Sequence, residues 1–304
     1  MPAPSDRQCA GRGCNRNRLA QQKRTFRIRE ITEVARPSMK PWGAYAPPRQ
    51  ARFLRRLIAV GLGRGRLRKA ILRRWARRFG PWVDIERGQI GWRLNIRDNT
   101  TDGKILACHR SPDRIEVEAL AEHCRGGLFI DIGANTGYYA LSLARAGADK
   151  VIAIEPHPAA RERLRFHVRL NSAQEVVSVL PMAVGPKGAA WLFSRFGDLG
   201  SSSLHWQSDP ETPTRVSVRP LAWILRVLRI EQVAGMKINV GGFEDRVLIP
   251  FFTTVPRSLW PACLVLETAH RKLWEQDAIA HLLDCGYRVL KTTRENRVLR
   301  LQGP

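Results

Sequence analysis

Two glycines and two acids carry the first chemical signal in this sequence. Residues 128–139 read LFIDIGANTGYY, so Gly133 and Gly137 stand four apart, directly after the strand-like stretch Leu128–Asp131. Asp131 precedes Gly133 by two positions. Glu155 follows Gly133 by 22 and ends the apolar run Lys150-Val-Ile-Ala-Ile. A strand that turns through glycine into a helix leaves free backbone N–H groups at the C-terminal edge of a sheet, where open α/β folds bind ligands. An acid about 20 residues further on is spaced to accept a pair of ribose hydroxyls. A dinucleotide site wants glycine where Asn135 stands, because a side chain there crowds a pyrophosphate. Asp131 also repels phosphates and suits a cation. The pattern therefore calls for a positively charged, phosphate-free ligand such as S-adenosylmethionine. A nicotinamide or flavin dinucleotide is the alternative.

The elements that must position these residues follow from periodicity. Tyr138–Ala146 has a helical pattern, and a helix is expected from Pro158 to Leu170. Further strands are expected near Val176–Val184, Ala189–Ser194, Arg215–Val218, Met236–Val240 and Cys263–Glu267, with Ser201-Ser-Ser a loop. Helices are expected at Leu221–Leu228, Phe243–Phe251 and Ala278–Cys285, and Tyr287–Leu290 with Val298–Leu301 as an antiparallel pair. Strands alternating with helices mean an α/β fold, a mostly parallel sheet covered on both faces, closed by an antiparallel final strand. Upstream, Gln89–Ile96 alternates as a strand and Ser111-Pro112 reads as a helix start.

Charge divides the chain. Its net charge is +24, and the first 80 residues hold 22 Lys/Arg against Asp6, Glu30 and Glu33. Residues 1–50 are Arg-rich, punctuated by proline and without a period, which reads as a disordered basic tail. Residues 51–80 read as a basic helical segment. Within it Leu67, Ile71 and Trp75 form an apolar stripe among arginines, able either to lie on an anionic membrane or to pack on the domain. The compact domain is expected over 81–304. No recognisable nucleic-acid module accompanies the charge, so no specific nucleic acid is expected. The six cysteines lack a zinc-like spacing; Cys124, Cys263 and Cys285 lie in apolar stretches and read as buried free thiols, and this usage fits a cytoplasmic protein, membrane-peripheral if the basic segment lies on a membrane. Asn99-Thr-Thr matches a glycosylation acceptor but reads as a turn. No run of about 18 apolar residues is present, so no transmembrane helix is expected.

From about residue 88 onward the sequence resembles the FkbM-type methyltransferases, class I S-adenosylmethionine-dependent O-methyltransferases. The stretches that carry the resemblance are FIDIGANTGYY, VIAIEPHP, LRFHVRLN, MAVGPKG, SSSL and KINVGGFEDRVL, in that order. The resemblance implies that Gly133, Ala134, Asn135, Gly137 and Tyr138 wrap the methionine part of the cofactor. It further implies Asp131 near the amino group, Glu155 on the ribose, and Met182 and Ala183 beside the adenine. It implies an acceptor hydroxyl on a sugar, glycan or related small molecule. The family signature departs here at two places: its usual Asp is Asn239 and its usual Glu is Gly241. Asn239 keeps shape and hydrogen bonding but cannot act as a base. Glu244 and Glu267 are then the candidate bases, with His157 and His270 behind them. A catalytically degenerate cofactor-binding domain is the second reading. No metal site is expected.

Overall fold

The computed structural model describes residues 40–51, 65–108, 112–195, 198–203 and 214–303. The expected tail over 1–39, most of the helix expected after Ala51, and the Ser111 cap lie outside the described residues. In chain order the elements are α1 (Gly65–Phe79), β1 (Trp82–Arg87), β2 (Ile90–Asn95), α2 (Thr100–Ala107) and α3 (Arg114–Cys124). Next come β3 (Leu128–Ile132), α4 (Tyr138–Arg145), β4 (Lys150–Ile154), α5 (Pro158–Leu170), β5 (Val177–Leu180) and β6 (Ala183–Val184). They are followed by β7 (Gly188–Arg195), β8 (Asp198–Ser203), β9 (Thr214–Arg219), α6 (Leu221–Leu228), β10 (Gly235–Ile238) and α7 (Asp245–Thr254). The last are β11 (Cys263–Glu267), α8 (Ala278–Asp284), β12 (Tyr287–Thr292) and β13 (Asn296–Leu301).

The main sheet has seven strands in the order β12-β13-β11-β10-β3-β4-β5. The pairings β11–β10, β10–β3, β3–β4 and β4–β5 are parallel, whereas β13 runs antiparallel to both β11 and β12. This is the mostly parallel α/β sheet that the sequence calls for. Its strands are apolar on both faces because both are covered. Phe129, Val151, Val265 and Val298 face one core layer; Ile130, Ile132, Ile152, Met236, Leu264 and Leu266 face the other. β3 lies at the switch point: the chain builds outward through β4 and β5, then returns to β10 on the opposite side. A crevice opens at such a point beyond the strand ends.

Four expectations are corrected. The compact unit begins at Trp42, well before residue 81. The reason is α1, whose Leu72 and Trp75 are buried in the core while Leu67 stays exposed. The stripe thus packs on the domain through a slightly rotated face. Second, β1 pairs with β2 as a hairpin ahead of the single strand expected there. Third, Ser201–Ser203 belongs to β8, which pairs with β7. Fourth, Asn99 is a buried helix cap: its side chain accepts the N–H groups of Thr101 and Asp102 at the start of α2.

Candidate active site

The crevice beyond β3, β4 and β10 is a cavity lined by Gly133, Ala134, Asn135, Tyr138, Glu155, Met182, Ala183, Asn239 and Glu267 among others. The sheet brings them together: β3 ends at Ile132, β4 at Ile154, β10 at Ile238 and β11 at Glu267. Gly133 has φ +75° and faces Asn239; a Cβ built on it would lie 1.9 Å from the Asn239 carbonyl oxygen. Only glycine allows the β3 and β10 turns to approach so closely. The Asn239 N–H in turn donates to the Ile132 carbonyl, at 3.0 Å.

Glu155 is held from two sides. One carboxylate oxygen accepts the Asn135 N–H and the other the His157 N–H, each at 2.7 Å. Burial pushes its carboxyl up to about 7, against the pull of these two N–H groups. Each oxygen keeps a lone pair for a hydroxyl. Asn135 adopts φ +51° and is pinned through its side chain, since Asn99 Nδ2 donates to its Oδ1 at 2.8 Å. Met182, Ala183, Val184 and Ile154 supply an apolar wall on the same side.

Other expected contacts are placed elsewhere. Asp131 is fully buried behind the wall, accepting the Ala140 N–H at the start of α4, with Lys237 Nζ 3.4 Å away. Lys237 also donates to the Gly133 carbonyl at 2.8 Å. The charge that the sequence offers to a cation is therefore countered from within, and Asp131 braces the turn. Gly137 also lies outside the cavity lining; a Cβ on it would sit 2.4 Å from Leu164 Cδ1. Glu244 is fully buried and committed to structure, accepting from the N–H groups of Val240 and Gly242 and from the Trp274 indole N–H. Burial raises its pKa. As a base it is blocked by these bonds; it fixes the loop that carries Gly241. His157 caps α5 by accepting the Ala159 N–H, and His270 Nδ1 lies 3.5 Å from Glu267.

Glu267 is the candidate base that lines the cavity. One oxygen accepts the Ala269 N–H at 3.0 Å; the other, Oε2, is buried without a hydrogen-bond partner among the described residues. β13 sets Asn296 beside it in register, and the rim continues with Glu295, which pairs with Lys104 at 2.6 Å. Lys237, Lys104, Thr101, Glu295 and Asn296 escaped the sequence reading. Lys237 had a signal, inside the KINVGGFE stretch; Glu295 and Asn296 had none, because only the β11–β13 pairing brings them to the site. Among the described residues no cluster of His, Cys, Asp or Glu is arranged to hold a metal ion.

The methyltransferase FkbM domain matches residues 131–289, more than half of the 304 residues. The chain belongs to the FkbM methyltransferase family. No curated protein matches it. Among solved structures, this FkbM chain is similar to a putative methyltransferase, yhhF, from Escherichia coli (11% identity, 70% of this chain and 93% of that one, TM-score 0.40). It is also similar to the M. jannaschii tRNA m1G37 methyltransferase (10% identity, 73% and 53%, TM-score 0.37). A third likeness is to PRMT6 with SAH (26% identity, 22% and 20%, TM-score 0.21), so the chain spans about a fifth of that protein's length. The cofactor that goes with this FkbM domain is S-adenosylmethionine, and the residues fit it. Glu155 retains acceptor capacity for two vicinal hydroxyls, an apolar wall stands ready for a flat base, and the Asn135 side chain, fixed by Asn99, occupies the turn where a dinucleotide site has glycine.

Proposed function

We propose that this protein transfers a methyl group from S-adenosylmethionine to a hydroxyl oxygen of a sugar, glycan or related small molecule, in the cytoplasm. One observation carries the reading. Glu155 and Glu267 line the same cavity, the first with acceptor capacity for a ribose, the second with an unpartnered buried oxygen. The bound cofactor supplies a sulfonium methyl group, which is electrophilic without further activation. The chain then has to hold the acceptor oxygen in line, exclude water and receive a proton. Glu267 Oε2 is the acceptor for that proton. The four free cysteines among the described residues support a reducing compartment.

A second reading has its own support. Asn239 and Gly241 stand where family members carry acids, and a domain that binds the cofactor without turning it over would also look like this. Product formation from a labelled methyl donor, over a panel of hydroxyl acceptors, separates the two. The proposed enzyme should be active, and Glu267→Gln should lower turnover by ~10²–10⁴-fold while leaving cofactor-product affinity unchanged. Cofactor binding with no transfer, in the wild type and in the Asn239→Asp/Gly241→Glu variant alike, would favour the binding-domain reading. Tighter binding of NAD than of S-adenosylhomocysteine in calorimetry would overturn both.

A further inference from the structure

Helix α1 carries Arg66, Arg68, Lys69, Arg73, Arg74, Arg77 and Arg78 and no acid in 15 residues. Like charges at i, i+4, such as Lys69, Arg73 and Arg77, weaken a helix. Here α1 is nonetheless fixed to the domain through the buried Leu72 and Trp75. It lies tightly on α2: a Cβ on Gly103 would sit 3.1 Å from Leu72 Cδ1. Between them runs a groove lined by Arg68, Lys69, Arg73 and Arg77 on one side and by Arg97, Asn99 and Thr100 on the other. Among the described residues, none of the five cationic side chains has a carboxylate within ion-pair distance. Arg93 and Arg163, on the neighbouring β2 and α5, are by contrast paired, with Asp84 and Asp98. Five cations held in a concave surface, with, among the described residues, only Arg68 in electrostatic reach of an acid, Glu295, create a strong local positive potential.

The groove is joined to the active site. Thr101 and Lys104 of α2 line the cofactor cavity, whereas Thr100 and Gly103 of the same helix line the groove. Asn99 links the two: it borders the groove, caps α2, and donates to Asn135 of the glycine turn at 2.8 Å. We propose that this groove binds a phosphate or diphosphate group of the acceptor, so that the hydroxyl to be methylated belongs to a phosphorylated or diphosphate-linked molecule. The proposal rests on the methyl-transfer reading above and narrows its substrate. Arginine forks match phosphate oxygens with paired charge-assisted bonds. A membrane surface is disfavoured because two anchoring side chains of the helix, Leu72 and Trp75, are buried in the domain. A single-stranded nucleic acid is disfavoured because the apolar groove residues are Leu72, Ala76 and Ile96, with no aromatic ring to stack a base.

The test is calorimetric titration of the full chain with inorganic pyrophosphate, and separately with S-adenosylhomocysteine. The Arg73→Gln/Arg97→Gln variant should bind pyrophosphate on the order of 10–100-fold more weakly while its S-adenosylhomocysteine affinity stays put. Arg78→Gln, outside the groove, should change neither. Comparing variants isolates the groove from the chain's other arginines; Arg97→Gln alone serves if the double variant is unstable. Equal pyrophosphate affinity in wild type and variant would overturn the proposal, as would no binding by the wild type. Loss of S-adenosylhomocysteine binding in the wild type with pyrophosphate binding intact would sink the methyl-transfer reading and leave the groove standing. Competition by a soluble sugar diphosphate, or by a lipid-linked diphosphate in neutral vesicles, would support the proposal and distinguish the two sources. Capture by anionic vesicles or single-stranded RNA that pyrophosphate cannot displace would overturn it in favour of those partners.

Discussion

Glu155 faces the cavity with a carboxyl that burial has brought close to neutrality, since its pKa is pushed up to about 7. Two vicinal hydroxyls both donate best to the ionised form. Cofactor-product affinity should therefore fall as pH drops below about 7, by up to tenfold per unit, and Glu155→Gln should flatten the curve in calorimetry. Glu155→Ala should cost about 2–3 kcal/mol of binding. An affinity independent of pH and of this side chain would remove Glu155 from the site. Gly241 offers a different test. Its φ of +66° lies in the left-handed region. A lone Gly241→Glu substitution should thus lower stability by about 1–2 kcal/mol in urea unfolding, so activity regained by restoring the family's acid would come with strain. Of these side chains, Gly133 and Glu155 were legible in the sequence, because a glycine turn after one strand and an acid at the end of the next stand at a characteristic spacing. The bracing role of Glu244 was not, because it depends on a partner 30 residues away, Trp274.

Helix α1 is part of the domain that it precedes. Trp75 is 1% exposed and edges against Phe79, and both contact the layer that contains Trp92 and Leu120. Trp75→Ala should cost about 3–5 kcal/mol and Leu72→Ala about 2–5 kcal/mol in urea unfolding. A chain shortened to begin at residue 81 loses both contacts at once and should unfold at markedly lower urea than one beginning at Trp42. Equal midpoints would mean that α1 is only laid on the surface. Periodicity found this helix but misplaced the boundary. A dense run of arginine reads as solvated, and sequence does not show that Leu72, rather than Leu67, joins Trp75 in the core. Asn99 was legible in principle. The order Asn99-Thr-Thr-Asp102 is a helix start with an acid in its first turn.

Beneath the cavity lies a buried polar layer. Asp102 accepts the Thr136 hydroxyl at 2.9 Å and the Asn95 N–H at 2.8 Å, and the Thr136 carbonyl meets His167 Nδ1 at 2.8 Å. Burial pushes Asp102 up to about 7 and His167 down to about 4. For Asp102 the folded pKa exceeds the unfolded value of 3.8, so the folded state binds the extra proton between them. Its contribution is full below 3.8 and lost as pH rises through about 7. Glu155 adds in the same direction. His167 opposes them only at pH below its ordinary 6.5, where the unfolded state gains the proton first. Between pH 6.5 and 8 the ligand-free protein should therefore lose stability, and Asp102→Asn should blunt that loss; a rising melting temperature over this interval would contradict the assignment. The order of the main sheet has a separate consequence, for biosynthesis. β13 follows β12 in the chain yet lies between β12 and β11, and it supplies Glu295 and Asn296 to the acceptor rim. While the nascent chain is still inside the ribosome up to that strand, β11 has an open edge and the rim is missing. The glycine turn and Glu155 can take up their places after β3 and β4 before Glu295 and Asn296 exist, so of the residues that line the cavity these two are added last.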